Sequence, residues 1–242
     1  MKLKATGLRA GLPALWLNVI MILLACETVF AENIIAFGDS LTQGCNPIPV
    51  TCGMRGGYGY PNELQLLLEA DGLNLPVYNY GRRGETTDDG ANRIDEVLDD
   101  VCNREAGYIL ILEGTNDLGF LSSFETIRFN LEVMIDKARA RGLVPFLATI
   151  TPDPRYEWKD IQGMNENIRM LAAEKEVVLV DLYARMEPDW RDYVYPYGCY
   201  GDKLHPNEYG FQVMAAEWYE YVMEHYRRNL PKSWMYLLLG QS

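Results

Sequence analysis

The chain has 242 residues, of which 48% are hydrophobic and 23% charged, so it can bury a full core and is not intrinsically disordered. This length predicts one domain. The formal net charge of −12 at pH 7 argues against nucleic acid or an anionic membrane surface as a partner and favours a small or neutral substrate.

Residues 1–31 predict a secretory signal peptide, because a basic start precedes an apolar run, 14–25, that is too short for a membrane span. Two cleavage sites compete. Residues 29–31 (Val-Phe-Ala) suit ordinary signal peptidase, whereas 23–26 (Leu-Leu-Ala-Cys) resemble a bacterial lipobox. We favour ordinary cleavage, which gives an exported, periplasmic or secreted protein without a membrane span. A lipoprotein anchored through Cys26 is the alternative.

Strands and helices alternate through the region 32–230, which we expect to form the folded domain before a tail at 231–242. Short apolar runs predict strands at 34–37, 76–78, 108–112, 143–150 and 177–180. Apolar residues at helical spacing predict helices at 61–70, 86–103, 124–141, 160–174 and 207–228. Five such alternations predict an α/β fold with a five-stranded parallel sheet covered on both faces.

Ligands of such a sheet bind in the crevice beyond the carboxyl ends of the strands. The first strand is followed by Ser40, the second by the glycine-containing turn 79–86, and the third by Asn116. A long loop after the fifth strand ends with Asp202 and His205. We therefore expect a serine, glycines, an amide, a carboxylate and an imidazole to meet at one rim.

These residue types are suited to nucleophilic catalysis on an ester. A serine hydroxyl is a poor nucleophile until a base removes its proton, and His205 is the candidate base for Ser40. Asp202, three residues before the histidine, is the candidate carboxylate that orients the imidazole and stabilises its positive charge.

Attack on an ester also creates an oxyanion that needs hydrogen-bond donors already in place. The candidate donors are the backbone N–H groups of Ser40 and Gly84 and the side-chain NH2 of Asn116. Gly81 is an alternative to Gly84 within the same turn.

Four blocks of the sequence together resemble the SGNH (GDSL) hydrolase family: Gly-Asp-Ser-Leu at 38–41, the turn 79–86, Gly-Thr-Asn-Asp at 114–117, and Asp-Lys-Leu-His-Pro at 202–206. The resemblance implies a flavodoxin-like three-layer α/β/α sandwich and an ester hydrolase that works through an acyl-enzyme without a cofactor. The substrate would be an acyl ester, a lysophospholipid or an acetylated carbohydrate. Lys203 stands where the family often has glycine, which leaves the spacing of the last block unchanged.

Other interpretations of the same residues stay open. Ser40 could simply cap a helix, and glycine and asparagine both suit turns. The alternative function is a catalytically silent SGNH-fold module that binds a glycan or another ligand. Arg82 could receive a phosphate or carboxylate, and Tyr195 and Tyr197 could wall an acyl pocket, although all three also suit an ordinary surface.

The cysteines are typical of an exported protein. Cys45 and Cys52 bracket a short loop and form a candidate disulfide, which leaves Cys102 and Cys199 as a second candidate pair. With two histidines and no Cys-x-x-Cys motif, the sequence predicts no metal site. We expect a monomer whose only partner is its ester substrate.

Overall fold

A parallel sheet of five strands forms the centre of the computed structural model, which describes residues 33–49, 55–154, 160–194 and 201–229. The strands of the described chain are β1 (Asn33–Gly38), β2 (Cys45–Pro49), β3 (Arg55–Tyr58), β4 (Val77–Gly81), β5 (Ala106–Leu112), β6 (Val144–Ala148) and β7 (Val178–Val180). The order in the large sheet is β4-β1-β5-β6-β7. The strands β2 and β3 form a separate antiparallel pair.

The helices lie between these strands. They are α1 (Ser40–Gln43), α2 (Tyr60–Ala70), α3 (Thr87–Leu98), α4 (Thr115–Gly119), α5 (Phe124–Ala140), α6 (Ile161–Glu174), α7 (Leu182–Met186), α8 (Trp190–Val194) and α9 (Glu208–Asn229). Among the predicted helices, the largest difference is in α3, which ends at Leu98 rather than at Asn103. A short 3-10 turn at Val101–Asn103 follows, and the side chain of Asp100 caps it.

Side chains of the inner strand β1 point alternately into two apolar layers. Ile34 and Ala36 face a layer formed with α2 and α9, where Trp218 is fully buried and stacks on Tyr60 at 5.7 Å. Ile35 faces the other layer, formed with α3, α5 and α6. A strand buried on both faces accounts for its uninterrupted apolar sequence. The predicted three-layer α/β/α sandwich is confirmed.

The strand order places the ends of β1 and β5 where ligands bind in this fold. The chain runs outward from β1 to β4 on one side and from β5 onward on the other, so the order reverses between β1 and β5. The crevice of a doubly wound sheet opens at that reversal. Ser40 follows β1 and Asn116 follows β5, and both therefore belong to the crevice side of the sheet.

Two glycines let main chains approach closely beneath that crevice. A Cβ atom at Gly38 would lie 2.3 Å from the carbonyl oxygen of Leu112. A Cβ atom at Gly81 would lie 2.1 Å from the backbone nitrogen of Gln43. Both distances are far inside van der Waals contact, so any larger residue would push the neighbouring strand or helix away. The ends of β1, β4 and β5 are thus packed backbone against backbone.

Candidate active site

The turn that carries Ser40 begins where β1 ends. Asp39 caps the four-residue helix α1, because its Oδ1 accepts the backbone N–H of Leu41 at 2.8 Å. The helix closes with the N–H of Gly44 donating to the carbonyl of Ser40 at 3.0 Å. Ser40 is the first residue of α1 and is only 4% exposed, so its hydroxyl has a fixed and sheltered position.

Ser40, His205 and Asp202 form one continuous chain of hydrogen bonds. The Oγ of Ser40 lies 2.9 Å from Nε2 of His205, and Nδ1 of the same ring lies 2.7 Å from Oδ2 of Asp202. The imidazole is buried. A hydroxyl, an imidazole and a carboxylate in this order and at these distances can activate the hydroxyl as a nucleophile.

Backbone hydrogen bonds keep the carboxylate of Asp202 ionised. Burial alone would raise the pKa of Asp202, but backbone N–H groups of His205 and Leu204 and the His205 ring together lower it below its ordinary value. The two backbone bonds reach Oδ1 at 2.8 and 3.0 Å. An ionised Asp202 accepts a hydrogen bond from Nδ1–H, so the neutral imidazole carries its proton on Nδ1 and Nε2 is free to accept the proton of the serine hydroxyl.

Asn116 lies in α4, and its amide bridges the turns that follow β1 and β4. Its Nδ2 donates to the backbone carbonyl of Glu85 at 2.7 Å and approaches Oδ2 of Asp39 at 3.4 Å. The structure therefore brings Asn116 beside the residue that precedes Ser40. An amide N–H at this place can serve an oxyanion formed on the serine side of the crevice.

The two candidate glycines of the turn differ in what they contact. The N–H of Gly81 donates to the side chain of Asn79 at 2.9 Å, and Gly81 is buried. Gly84 is exposed with φ of +78°, and a Cβ atom there would meet nothing within 4 Å. Gly81 therefore packs the end of β4, whereas Gly84 leaves open space for a ligand to approach its backbone.

Arg82 lies in the same turn, and its backbone N–H donates to the carbonyl of Gly38 at 2.8 Å. Its side chain is 65% exposed, with Nε 3.9 Å from the Glu85 carboxylate. Tyr195 and Tyr197 lie outside the described residues. The same holds for three cysteines: Cys26, Cys52 and Cys199.

Sequence reasoning missed a group of four buried carboxyl side chains under the crevice, which we call the acidic cluster: Asp39, Glu85, Glu113 and Asp117. Arg93 pairs with Glu85 through two contacts, at 2.7 and 2.5 Å. Asp117 instead accepts the hydroxyl and the backbone N–H of Thr87. Neither carboxylate oxygen of Glu113 has a hydrogen-bond partner among the described residues.

Burial is the largest cause of the raised pKa values of Asp39, Glu113 and Asp117. It raises the pKa of Asp39 to about 7, with the charges of Glu85 and Asp117 adding to the effect. It also raises the pKa of Glu113 well above its ordinary value, and the neighbouring carboxylates act in the same direction. One sequence signal could have revealed the cluster: Glu113 follows the uninterrupted apolar strand β5 directly.

Within the ranges that the structure describes, no three side chains of the His, Cys, Asp or Glu type are grouped so that they could hold a metal ion. None of the helices in those ranges combines the length and apolar character of a membrane span.

A family model described as the GDSL-like lipase/acylhydrolase family matches residues 36–213. Among curated proteins, the uncharacterized lipoprotein YqeF of Bacillus subtilis is 32% identical over 143 residues, 55% of this chain and 54% of its own length. The chain thus spans about half the length of that relative. The esterase TesA of Pseudomonas aeruginosa is 24% identical over 162 residues, 67% of this chain and 76% of its own.

Solved structures share the fold. One is the psychrotrophic esterase EstA from a Pseudoalteromonas species, inhibited by monoethylphosphonate, which superposes with a TM-score of 0.64 at 20% identity. That comparison covers 81% of this chain and 99% of EstA.

Proposed function

The chain belongs to the GDSL-like lipase/acylhydrolase family, and from this premise we propose that it is an exported ester hydrolase that cleaves carboxylic esters through Ser40, His205 and Asp202. The observation that carries the proposal is the hydrogen-bonded chain of these three side chains, with contacts of 2.9 and 2.7 Å. A binding module that performed no chemistry would have no need of this arrangement.

The proposed reaction has two halves. Ser40 Oγ attacks the ester carbonyl carbon while His205 Nε2 takes its proton, and Asp202 stabilises the imidazolium. The tetrahedral intermediate collapses, the alcohol leaves with the proton from His205, and the acyl group stays on Ser40. Water then attacks the acyl-enzyme, again giving its proton to His205, and the carboxylic acid is released as Ser40 recovers its proton.

The proposed oxyanion donors are the N–H groups of Ser40 and Gly84 and the amide of Asn116. The open space at Gly84 and the position of Asn116 beside Asp39 support them.

We propose Arg82 as a contact for a phosphate or carboxylate of the substrate, because its exposed guanidinium belongs to the same turn as Gly84. Candidate substrates are acyl esters, lysophospholipids and acetylated carbohydrates.

A fluorophosphonate probe tests the enzymatic proposal in one experiment. We expect it to label the intact protein at Ser40, since the probe forms its bond only with an activated hydroxyl. EstA, a protein of the same fold, is inhibited by a phosphonate, which supports the choice of probe. A panel of p-nitrophenyl esters of increasing chain length, an acetylated sugar and a lysophospholipid would then define the substrate. Failure both to label and to turn over any ester would favour a silent ligand-binding module.

We further propose that the mature protein begins at Glu32 and carries a Cys45–Cys52 disulfide. The position of Cys45 and Cys52 on either side of a short loop supports the pairing, while the lipoprotein relative favours the anchored alternative through Cys26. Non-reducing peptide mapping of the exported protein is expected to show Glu32 at the N-terminus and the linked peptide. If the N-terminal residue is instead a lipidated Cys26, the protein is an anchored lipoprotein and does not begin at Glu32. Free thiols at Cys45 and Cys52 would contradict the proposed disulfide.

A further inference from the structure

Asp39 touches both the nucleophile turn and an oxyanion donor. Its Oδ1 accepts the N–H of Leu41 at 2.8 Å and so fixes helix α1, which begins with Ser40. Its Oδ2 lies 3.4 Å from the amide nitrogen of Asn116. The side chain is completely buried. A helix cap needs only the first contact, so the second requires a separate explanation.

The amide of Asn116 has two hydrogens, and each has an acceptor in the structure. The first goes to the carbonyl of Glu85 at 2.7 Å, a short bond that orients the side chain. The second is directed to Asp39 over 3.4 Å, a long and weak contact. An oxyanion can therefore be served by the second hydrogen only, which has to leave Asp39.

We propose that Asp39 is a positioning residue whose neutral, protonated form releases the Asn116 amide to the oxyanion, whereas its ionised form withholds it. This rests on the proposed function of Asn116. An ionised Asp39 would hold the hydrogen more strongly, and it would place a second negative charge near the one that develops on the substrate. The proton comes from solvent before the reaction, so no proton transfer is added to the chemical steps.

The groups around Asp39 favour the neutral form. The titratable side chains that interact electrostatically with Asp39 are Glu85 after β4, Glu113 after β5, Asp117 in α4 and Tyr60 in α2. Arg93 pairs with Glu85, and His205 contacts Ser40, the residue that follows Asp39. Burial, followed by the charges of Glu85 and Asp117, raises the pKa of Asp39 to about 7. Burial also raises the pKa of Tyr60, so that phenol stays neutral at every pH of interest.

The direction of the pH dependence of kcat follows from these groups. As pH rises through about 7, Asp39 loses its proton and the amide becomes engaged. As pH falls, His205 becomes protonated and can no longer act as the base. The proposal predicts that kcat falls on both sides of a maximum. Because the contact to Asp39 is weak, we expect a partial loss of about tenfold at high pH, less than the ~10²–10³ for removal of a donor.

Asp39→Asn tests this directly. Asparagine caps helices as well as aspartate does, and its oxygen can still accept the N–H of Leu41. The kcat of the variant should stay near its maximum at pH 9, where the kcat of the wild type has fallen about tenfold. KM should be unchanged in both proteins. Activity is measured from pH 5 to 9 with a p-nitrophenyl ester, after subtraction of spontaneous hydrolysis. Asp160→Asn is the matched control, since Asp160 caps α6 at an exposed position and should leave the profile unaltered.

A folded Asp39→Asn that keeps the high-pH loss, or that is inactive at every pH, would show the proposal to be wrong. If this variant does not fold, Asp117→Asn gives the answer. Removal of that neighbouring charge lowers the pKa of Asp39, so the high-pH loss must move to lower pH. An unmoved profile would overturn the inference. A wild type that neither labels at Ser40 nor turns over would instead overturn the proposed function itself.

Discussion

Ser40→Ala is expected to keep the fold and lose nearly all ester hydrolysis, with kcat lower by about 10⁴–10⁶. The hydroxyl is the atom that forms the bond to the substrate, and its contact to His205 at 2.9 Å has no substitute in the variant. The fold should persist because alanine suits a helix and the cap from Asp39 to Leu41 is untouched. Residual activity would come from the oxyanion donors and substrate binding alone.

Turnover of a p-nitrophenyl ester, together with circular dichroism, measures this result. Ser122→Ala is the matched control. It removes the same hydroxyl at a position six residues after Asn116, outside the chain of hydrogen bonds formed by Ser40, His205 and Asp202, and should leave kcat unchanged. His205→Ala should lose both turnover and fluorophosphonate labelling, since no base then takes the serine proton. Near-normal turnover in a correctly folded Ser40→Ala would refute the proposed mechanism.

Asn116→Ala is expected to lower kcat by ~10²–10³, about 3–4 kcal/mol, while KM stays nearly constant. The amide would donate to a charge that exists only in the transition state, so its loss affects the chemical step rather than ground-state binding. The backbone donors of Ser40 and Gly84 would remain. Labelling by a fluorophosphonate should therefore be slower but still detectable, because Ser40 and His205 stay paired.

Asn116→Ala is also expected to affect stability, and this effect must be measured separately from the loss of kcat. Asn116→Ala also leaves the Glu85 carbonyl without its 2.7 Å donor, which should lower the free energy of unfolding by about 1 kcal/mol. Thermal unfolding measures that loss independently of kcat. Asn92→Ala, an exposed amide on α3, serves as the control. A large rise in KM with an unchanged kcat would identify Asn116 as a ground-state substrate contact.

Long elements could be predicted from the sequence because their apolar spacing repeats. All five strands of the sheet and all five long helices were identified, with most boundaries within two residues. The pair β2 and β3 was not, because Pro47, Pro49, Gly56 and Gly57 indicate a loop. The helices α1, α4, α7 and α8 span only four or five residues, too few for a helical period to be visible.

The candidate site was predictable to the extent that it follows strand ends. Ser40 and Asn116 come directly after β1 and β5, so topology alone brings them to one crevice. The acidic cluster was not predictable in this way. Asp39 and Asp117 look like ordinary polar residues of turns, and their burial depends on how α3 and α4 pack against the sheet. The contact of Asn116 with the Glu85 carbonyl depends on the same packing.

The backbone contacts at Gly38 and Gly81 have a consequence for how such a hydrolase can diversify. The ends of β1, β4 and β5 are held by main-chain atoms, which are the same whatever side chains surround them. Substitutions elsewhere in the chain can therefore alter the neighbouring surfaces without displacing Ser40. Laboratory evolution toward a new ester should accordingly find its beneficial changes in the exposed turn around Arg82 and Arg83, while both glycines stay fixed.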